Sequence, residues 1–173
     1  MNGRVINFLA GPGVGKTSTT AALFAELKYR NHNVEAAWEY AKELAWQDNP
    51  TFDQNEIFRV QSQRIAVARK TELVITDGPL LMQTTYLTDA DAKLYPKIVM
   101  EYHKYDNLNI VLKRSSTKPY NPNGRYQTEE QAKEKDGEIE KMLEEFSVPY
   151  ITMEFGRGNV GTIIELLKER GWI

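Results

Sequence analysis

Short apolar runs alternate along the chain with longer segments whose apolar positions fall at helical spacing. The runs at residues 4–9, 33–38, 72–76, 109–113 and 149–155 predict five strands. Between them, residues 16–30 carry Ala21, Ala22, Phe24, Ala25 and Leu27 on a helical repeat. Residues 40–47 predict a short helix that Asp48-Asn49-Pro50 breaks. Asp53 suits an N-cap, with Glu56 at capping-box spacing, for a helix reaching about Lys70 on an Ile57, Val60, Ile65 and Ala68 stripe. Residues 90–105 read as mostly helical, with Pro96 near the start or at a break. Residues 128–146 and 160–170 predict two more helices. Strand and helix alternate throughout, so the expectation is an α/β three-layer sandwich with a five-stranded parallel sheet and helices on both faces.

The first strand runs into Ala10-Gly11-Pro12-Gly13-Val14-Gly15-Lys16-Thr17-Ser18, and a helix follows at once. This is the P-loop pattern G-x-x-x-x-G-K-S/T, with Ala10 in its first place. Its glycines let successive N–H groups turn inward on phosphate oxygens, and the next helix adds its positive dipole end. Gly11, Pro12, Gly13, Val14, Gly15, Lys16, Thr17 and Ser18 are the expected phosphate cradle. Lys16 can reach the terminal phosphates, and the Thr17 hydroxyl can ligate Mg²⁺.

Composition narrows the rest. At 173 residues the chain predicts one domain over 1–173. Net charge is −2, so no global basic field draws in nucleic acid. There is no cysteine and there are two histidines, which excludes disulfides and a Cys/His zinc site. No apolar run approaches a membrane span. Met1-Asn2-Gly3-Arg4 leads directly into the first strand. The expectation is a cytoplasmic protein with no membrane partner.

In parallel sheets ligands bind beyond the carboxyl ends of the strands, so polar residues there carry the chemistry. Asp77 follows a buried run and reads as a Mg²⁺-side carboxylate or as a strand-end cap. Gly78 stands where a hydrolytic ATPase commonly places Glu, which favours transfer over hydrolysis. Glu39 ends the second strand and can take a proton from an attacking hydroxyl, or form a surface salt bridge. Lys42, one turn on, is a partner for it in either case. Gln61 and Arg64 share a helix face and read as acceptor-binding groups or as a solvated face. Trp38, Trp46 and Tyr40 could stack on an acceptor base, while Trp38 also suits core packing. Residues 113–128 hold Lys113, Arg114, Lys118 and Arg125 before any acid. They read as a mobile basic lid, with Arg114 and Arg125 the cations for the transferring phosphoryl group, or as a solvated basic loop.

Taken together, the phosphate loop, Glu39, Gln61 with Arg64, Asp77-Gly78-Pro79 and the lid ending Asn-Gly-Arg-Tyr-Gln-Thr-Glu-Glu resemble the nucleoside and nucleotide kinase superfamily. The Glu-Tyr-Ala-Lys stretch and the lid are similar to small phage-type P-loop kinases. Those include 5-hydroxymethyluridine DNA kinases and, more distantly, ribosylnicotinamide kinases. The resemblance implies ATP and Mg²⁺, and transfer of the γ-phosphoryl group to a hydroxyl. The acceptor it implies is a nucleoside, a nucleotide or a modified pyrimidine in phage DNA. It implies the host cytoplasm if the chain is phage-encoded. Glu39 would match the general base of deoxynucleoside kinases. Asp77-Gly78 resembles instead the Asp-Gly of nucleoside monophosphate kinases, which form the nearest alternative. An ATP- or GTP-driven switch is the alternative of another class. A GTPase would want Asn-Lys-x-Asp, and the chain holds no Asn-Lys pair.

Overall fold

Alternation along each strand sorts side chains onto two faces, and helices cover both. The computed structural model describes residues 3–47, 51–115, 119–121 and 127–173. The strands are β1 (Arg4–Leu9), β2 (Val34–Ala37), β3 (Leu73–Thr76), β4 (Asp106–Lys113) and β5 (Tyr150–Glu154). They pair in the order β2-β3-β1-β4-β5, all parallel. On one face Ile6, Phe8, Ile75 and Ile110 pack with α1 (Lys16–Tyr29) and α6 (Asn159–Glu169). On the other, Val5 and Val74 meet Ile65 of α3 (Gln54–Ala68) and Ile98 of α4 (Tyr95–Tyr102). Leu9 and Val111 meet Ile139 and Leu143 of α5 (Glu129–Glu145) on that same side. The expected five-stranded three-layer sandwich is what forms.

A buried polar ladder fixes how β1 sits on β4. Asn7 donates through Nδ2 to Asn107 and Asn109 at 2.9 and 3.1 Å, and Asn109 donates to the Tyr102 hydroxyl at 2.8 Å. Slipping the register by one residue would leave these amides unpaired inside the core. The register places Asn7 opposite Thr76, and Ala37 opposite Thr76. The ends of β1, β2 and β3 therefore emerge together, and each is followed by a candidate site residue.

Several element boundaries move from the sequence reading. β4 begins at Asp106, earlier than expected. The expected 90–105 helix is a 3₁₀ turn over Asp89–Asp91 followed by α4, with Pro96 in the first turn of α4. A second 3₁₀ segment, Leu81–Tyr86, had no periodic signal, because it is too short for one. Asp53 caps α3 by accepting from Asn55 N–H at 2.8 Å. The breaker Asp48-Asn49-Pro50 lies outside the described residues. The buried stripe of α3 is Ile57, Gln61, Ile65 and Ala68, so a glutamine takes the place expected for Val60.

Candidate active site

The phosphate loop leaves β1 and enters α1 with Gly13 and Gly15 at φ 86° and 131°. Any Cβ on Gly15 would lie 2.2 Å from the Phe155 ring, which packs directly on the loop. Lys16 is buried and its ammonium donates to the Ala10 carbonyl at 2.8 Å. The lysine thus lies back along the loop toward its first residue.

Asp77 ties the three strand ends together. It is fully buried; Oδ2 accepts from the Thr17 hydroxyl at 2.6 Å and Oδ1 from Glu39 N–H at 2.8 Å. One carboxylate thereby joins the phosphate loop to the start of α2 (Tyr40–Leu44). The strand-end reading of Asp77 describes these two bonds. A hydroxyl beside a single carboxylate, next to a phosphate cradle, is a donor set that suits Mg²⁺, a cation that keeps several waters and takes its other ligands from phosphate. Among the described residues no cluster of three or more acidic, His or Cys groups offers an all-protein metal cage.

Thr17, Lys42, Glu39 and the loop open on one cavity of about 490 Å³. The same cavity is lined by the apolar and aromatic side chains of Trp46, Phe52, Ile57, Met82 and Tyr86. Gln83 stands there too, buried, with Nε2 donating to the Gln54 carbonyl at 2.6 Å and to Gln54 Oε1 at 3.1 Å. Its amide nitrogen is spent on the protein, so what it can offer a guest is its carbonyl oxygen. Burial, then the carboxylates of Glu39, Glu138 and Asp136, push the Tyr86 phenol well above its ordinary pKa. It stays protonated at physiological pH. Gln83 and Tyr86 escaped sequence reading because they sit on the 3₁₀ segment.

Gly78 is tightly packed. A Cβ there would meet the Glu39 Cα at 3.0 Å and the Gln61 amide at 3.1 Å. A side chain after Asp77 would have to displace the start of α2 or the Gln61 amide by a few tenths of an ångström.

Other expected site residues lie elsewhere. Gln61 borders the cavity, but its amide is committed to the protein: Oε1 accepts from Tyr40 N–H at 3.0 Å, and Nε2 donates to the Ala37 carbonyl and Thr76 hydroxyl. It locks α2 onto the sheet, and both N–H donors of its amide are used within the protein. Arg64 points away from the cavity. It grips Glu43 through two bonds of 2.8 Å, donates to the Trp38 carbonyl at 3.0 Å and lies over the Tyr40 ring. Tyr40 donates its hydroxyl to Glu56 at 3.0 Å. Trp38 is 37% exposed and borders neither core nor cavity. Only Trp46 of the three proposed stacking residues lines the cavity.

The basic lid is answered by α5. Lys113 pairs with Glu140, and Arg114 donates to Asp136 at 2.5 Å and to the Ala132 carbonyl at 2.8 Å. Asp136 in turn accepts from Gly11 N–H at 2.7 Å. Arg114 thus braces the first turn of the phosphate loop from behind, outside the cavity. Lys118 and Arg125 lie outside the described residues.

The family model described as AAA domain matches residues 5–161, from β1 into α6. The chain belongs to the AAA domain family. No curated protein matches. A crystal structure of NadR protein in complex with NR matches this AAA domain with TM-score 0.68 and 18% identity. The match covers 87% of this chain and 45% of that one, so this AAA domain spans under half the length of the NadR chain. At that identity the likeness shows the fold alone: the α/β arrangement of a five-stranded parallel sheet between helices. No helix among the described residues is long and apolar enough to cross a membrane.

Proposed function

We propose that this AAA domain is an ATP-dependent phosphotransferase whose acceptor is a hydroxyl of a nucleoside. One observation carries the reading. The phosphate loop, Glu39 and an aromatic wall face a single cavity, while the position where a hydrolytic ATPase places its base is Gly78, at which even a Cβ would crowd the Glu39 backbone and the Gln61 amide. In the reaction the acceptor hydroxyl gives its proton to Glu39 as its oxygen bonds to the γ-phosphorus of ATP. The bond from that phosphorus to the β,γ-bridging oxygen breaks, and ADP leaves. Thr17 and Asp77 would hold the Mg²⁺, which supplies charge neutralisation on the phosphates.

The acceptor end supports a nucleoside over a monophosphate. Among the described residues the only lysines or arginines on the cavity are Lys16 and Lys42, and both stand at the loop. Among the described residues, none of the cavity's remaining lining is a lysine or arginine that could meet a second phosphate. A base within a DNA strand is less well served, because Lys113 and Arg114 are already neutralised by α5. Trp46, Phe52 and Tyr86 offer flat surfaces to a nucleobase, and Gln83 offers an acceptor to a ring N–H or amino group. The NadR structure solved with NR adds that ligand to the candidates.

The test is transfer of label from γ-³²P-ATP across a panel. The panel holds nucleosides, NR, nucleoside monophosphates and hydroxymethylpyrimidine DNA. Label moving to a nucleoside or NR supports the reading. Label moving to monophosphates or DNA replaces the acceptor. Label recovered only as inorganic phosphate refutes transfer.

A further inference from the structure

The expected lid cations leave the transferring phosphoryl group unattended among the described residues. Arg114 is paired with Asp136 and lies off the cavity. Lys113 is paired with Glu140. Arg64 is paired with Glu43 outside the cavity. Lys16 serves the loop itself. Lys42 differs from all of these. It stands on α2, three residues from Glu39, and lines the same cavity. Its ammonium donates to the Thr17 hydroxyl at 3.0 Å, and among the described residues it pairs with no carboxylate.

We propose that Lys42 is the second catalytic cation, contacting the γ-phosphoryl oxygens as the group leaves ATP. This rests on the phosphotransferase reading above. The argument is one of charge and reach. The Thr17 hydroxyl donates a hydrogen bond to Asp77 and accepts one from Lys42, so the ammonium sits at the edge of the donor set that suits Mg²⁺. A lysine carries its charge on a flexible four-carbon stem. A short swing from Thr17 takes it toward the mouth of the phosphate loop. The backbone that carries it is fixed: Glu39 N–H is held by Asp77 and Tyr40 N–H by Gln61. Base and cation therefore enter the cavity from one anchored helical turn, one to take the acceptor's proton and one to meet the oxygens receiving charge. The α2 turn thus has a function that its sequence spacing alone presents as a surface Glu–Lys pair.

The test compares Lys42→Met and Lys42→Arg with the unmodified chain, with circular dichroism confirming the fold. Two readouts are used. The first is equilibrium binding of ADP and of a non-hydrolysable ATP analogue, each with Mg²⁺. Lys42→Met should bind ADP normally and the analogue about 3- to 10-fold more weakly, because only the γ-phosphate loses a charge-assisted bond. The second is turnover with the acceptor found in the panel. There kcat should fall about 10²–10³-fold, the scale for losing one transition-state donor, with Lys42→Arg recovering part of it. Equal loss of both affinities, or kcat within threefold of the unmodified chain, overturns the assignment to Lys42 and leaves the kinase reading standing. If the unmodified chain transfers phosphate to nothing, the kinase reading fails; the binding readout then decides separately whether Lys42 meets the γ-phosphate.

Discussion

The two ends of the cleft are built by opposite means. On the phosphotransferase reading proposed above, the donor end is one unbroken stretch, Gly11 to Ser18, that binds through main-chain amides and a single lysine. The acceptor end is assembled from α2, the start of α3 and the Leu81–Tyr86 turn, elements far apart in the chain. Its polar groups are largely spent on one another, as Gln61 and Gln83 are. A site made of backbone tolerates little change and looks alike wherever it occurs. A site made of packed side chains can be re-lined without disturbing the sheet. Asp77 is where the two meet, with one oxygen on Thr17 and the other on the α2 backbone.

Removing the donor end should have the largest effect. Lys16→Ala is expected to bring label transfer below detection while the far-ultraviolet spectrum is unchanged. A rate within tenfold of the unmodified chain would break the division between the ends. Glu39→Gln should lower kcat about 10²–10⁴-fold, the range of a lost general base, and leave the Kd for ATP within twofold. Isothermal titration beside steady-state kinetics separates the two quantities; a loss of ATP binding would move Glu39 to the donor side.

Smaller effects fall on the braces. Gly78→Ala pushes a methyl against the α2 backbone and should cost about 1–3 kcal/mol in urea unfolding. No loss of stability would mean that α2 is free to move, and the account of its anchoring would fall. Asp136→Ala leaves Gly11 N–H and Arg114 without their partner and should cost about 1–3 kcal/mol by the same measurement. The least effect is expected at Arg64→Ala, about 1 kcal/mol or below, because its pair with Glu43 is half exposed. The hydrogen bonds from Arg64 hold the Glu43 carboxyl below its ordinary pKa. That small contribution is present above the ordinary carboxylate range and fades as pH falls through the lowered value. Acid titration of stability in the two proteins should therefore converge at low pH.

The same contrast explains what the sequence made legible. All five strands and the loop with Lys16 and Thr17 could be read directly, because their signals are local: apolar runs, glycine spacing and a helix start. Asp77 and Glu39 could be read because parallel topology sends every strand end to one edge. What escaped was tertiary. Gln61 sits at a core position of α3, and nothing in its spacing reveals that Tyr40, Ala37 and Thr76 will consume its amide. Arg114 reads as a lid cation until α5 folds back and sets Asp136 beside it. Lys42 reads as a partner for Glu39 until α2 is seen to turn it toward Thr17.

The central claim, that the terminal phosphoryl group goes to an alcohol and not to water, is tested most directly by stoichiometry. With a saturating nucleoside acceptor, ADP and free inorganic phosphate are measured in the same reaction. The account predicts ADP far in excess of inorganic phosphate, and ADP formation that nearly stops when the acceptor is withheld. Equal amounts of the two products, at a rate indifferent to the acceptor, would contradict it.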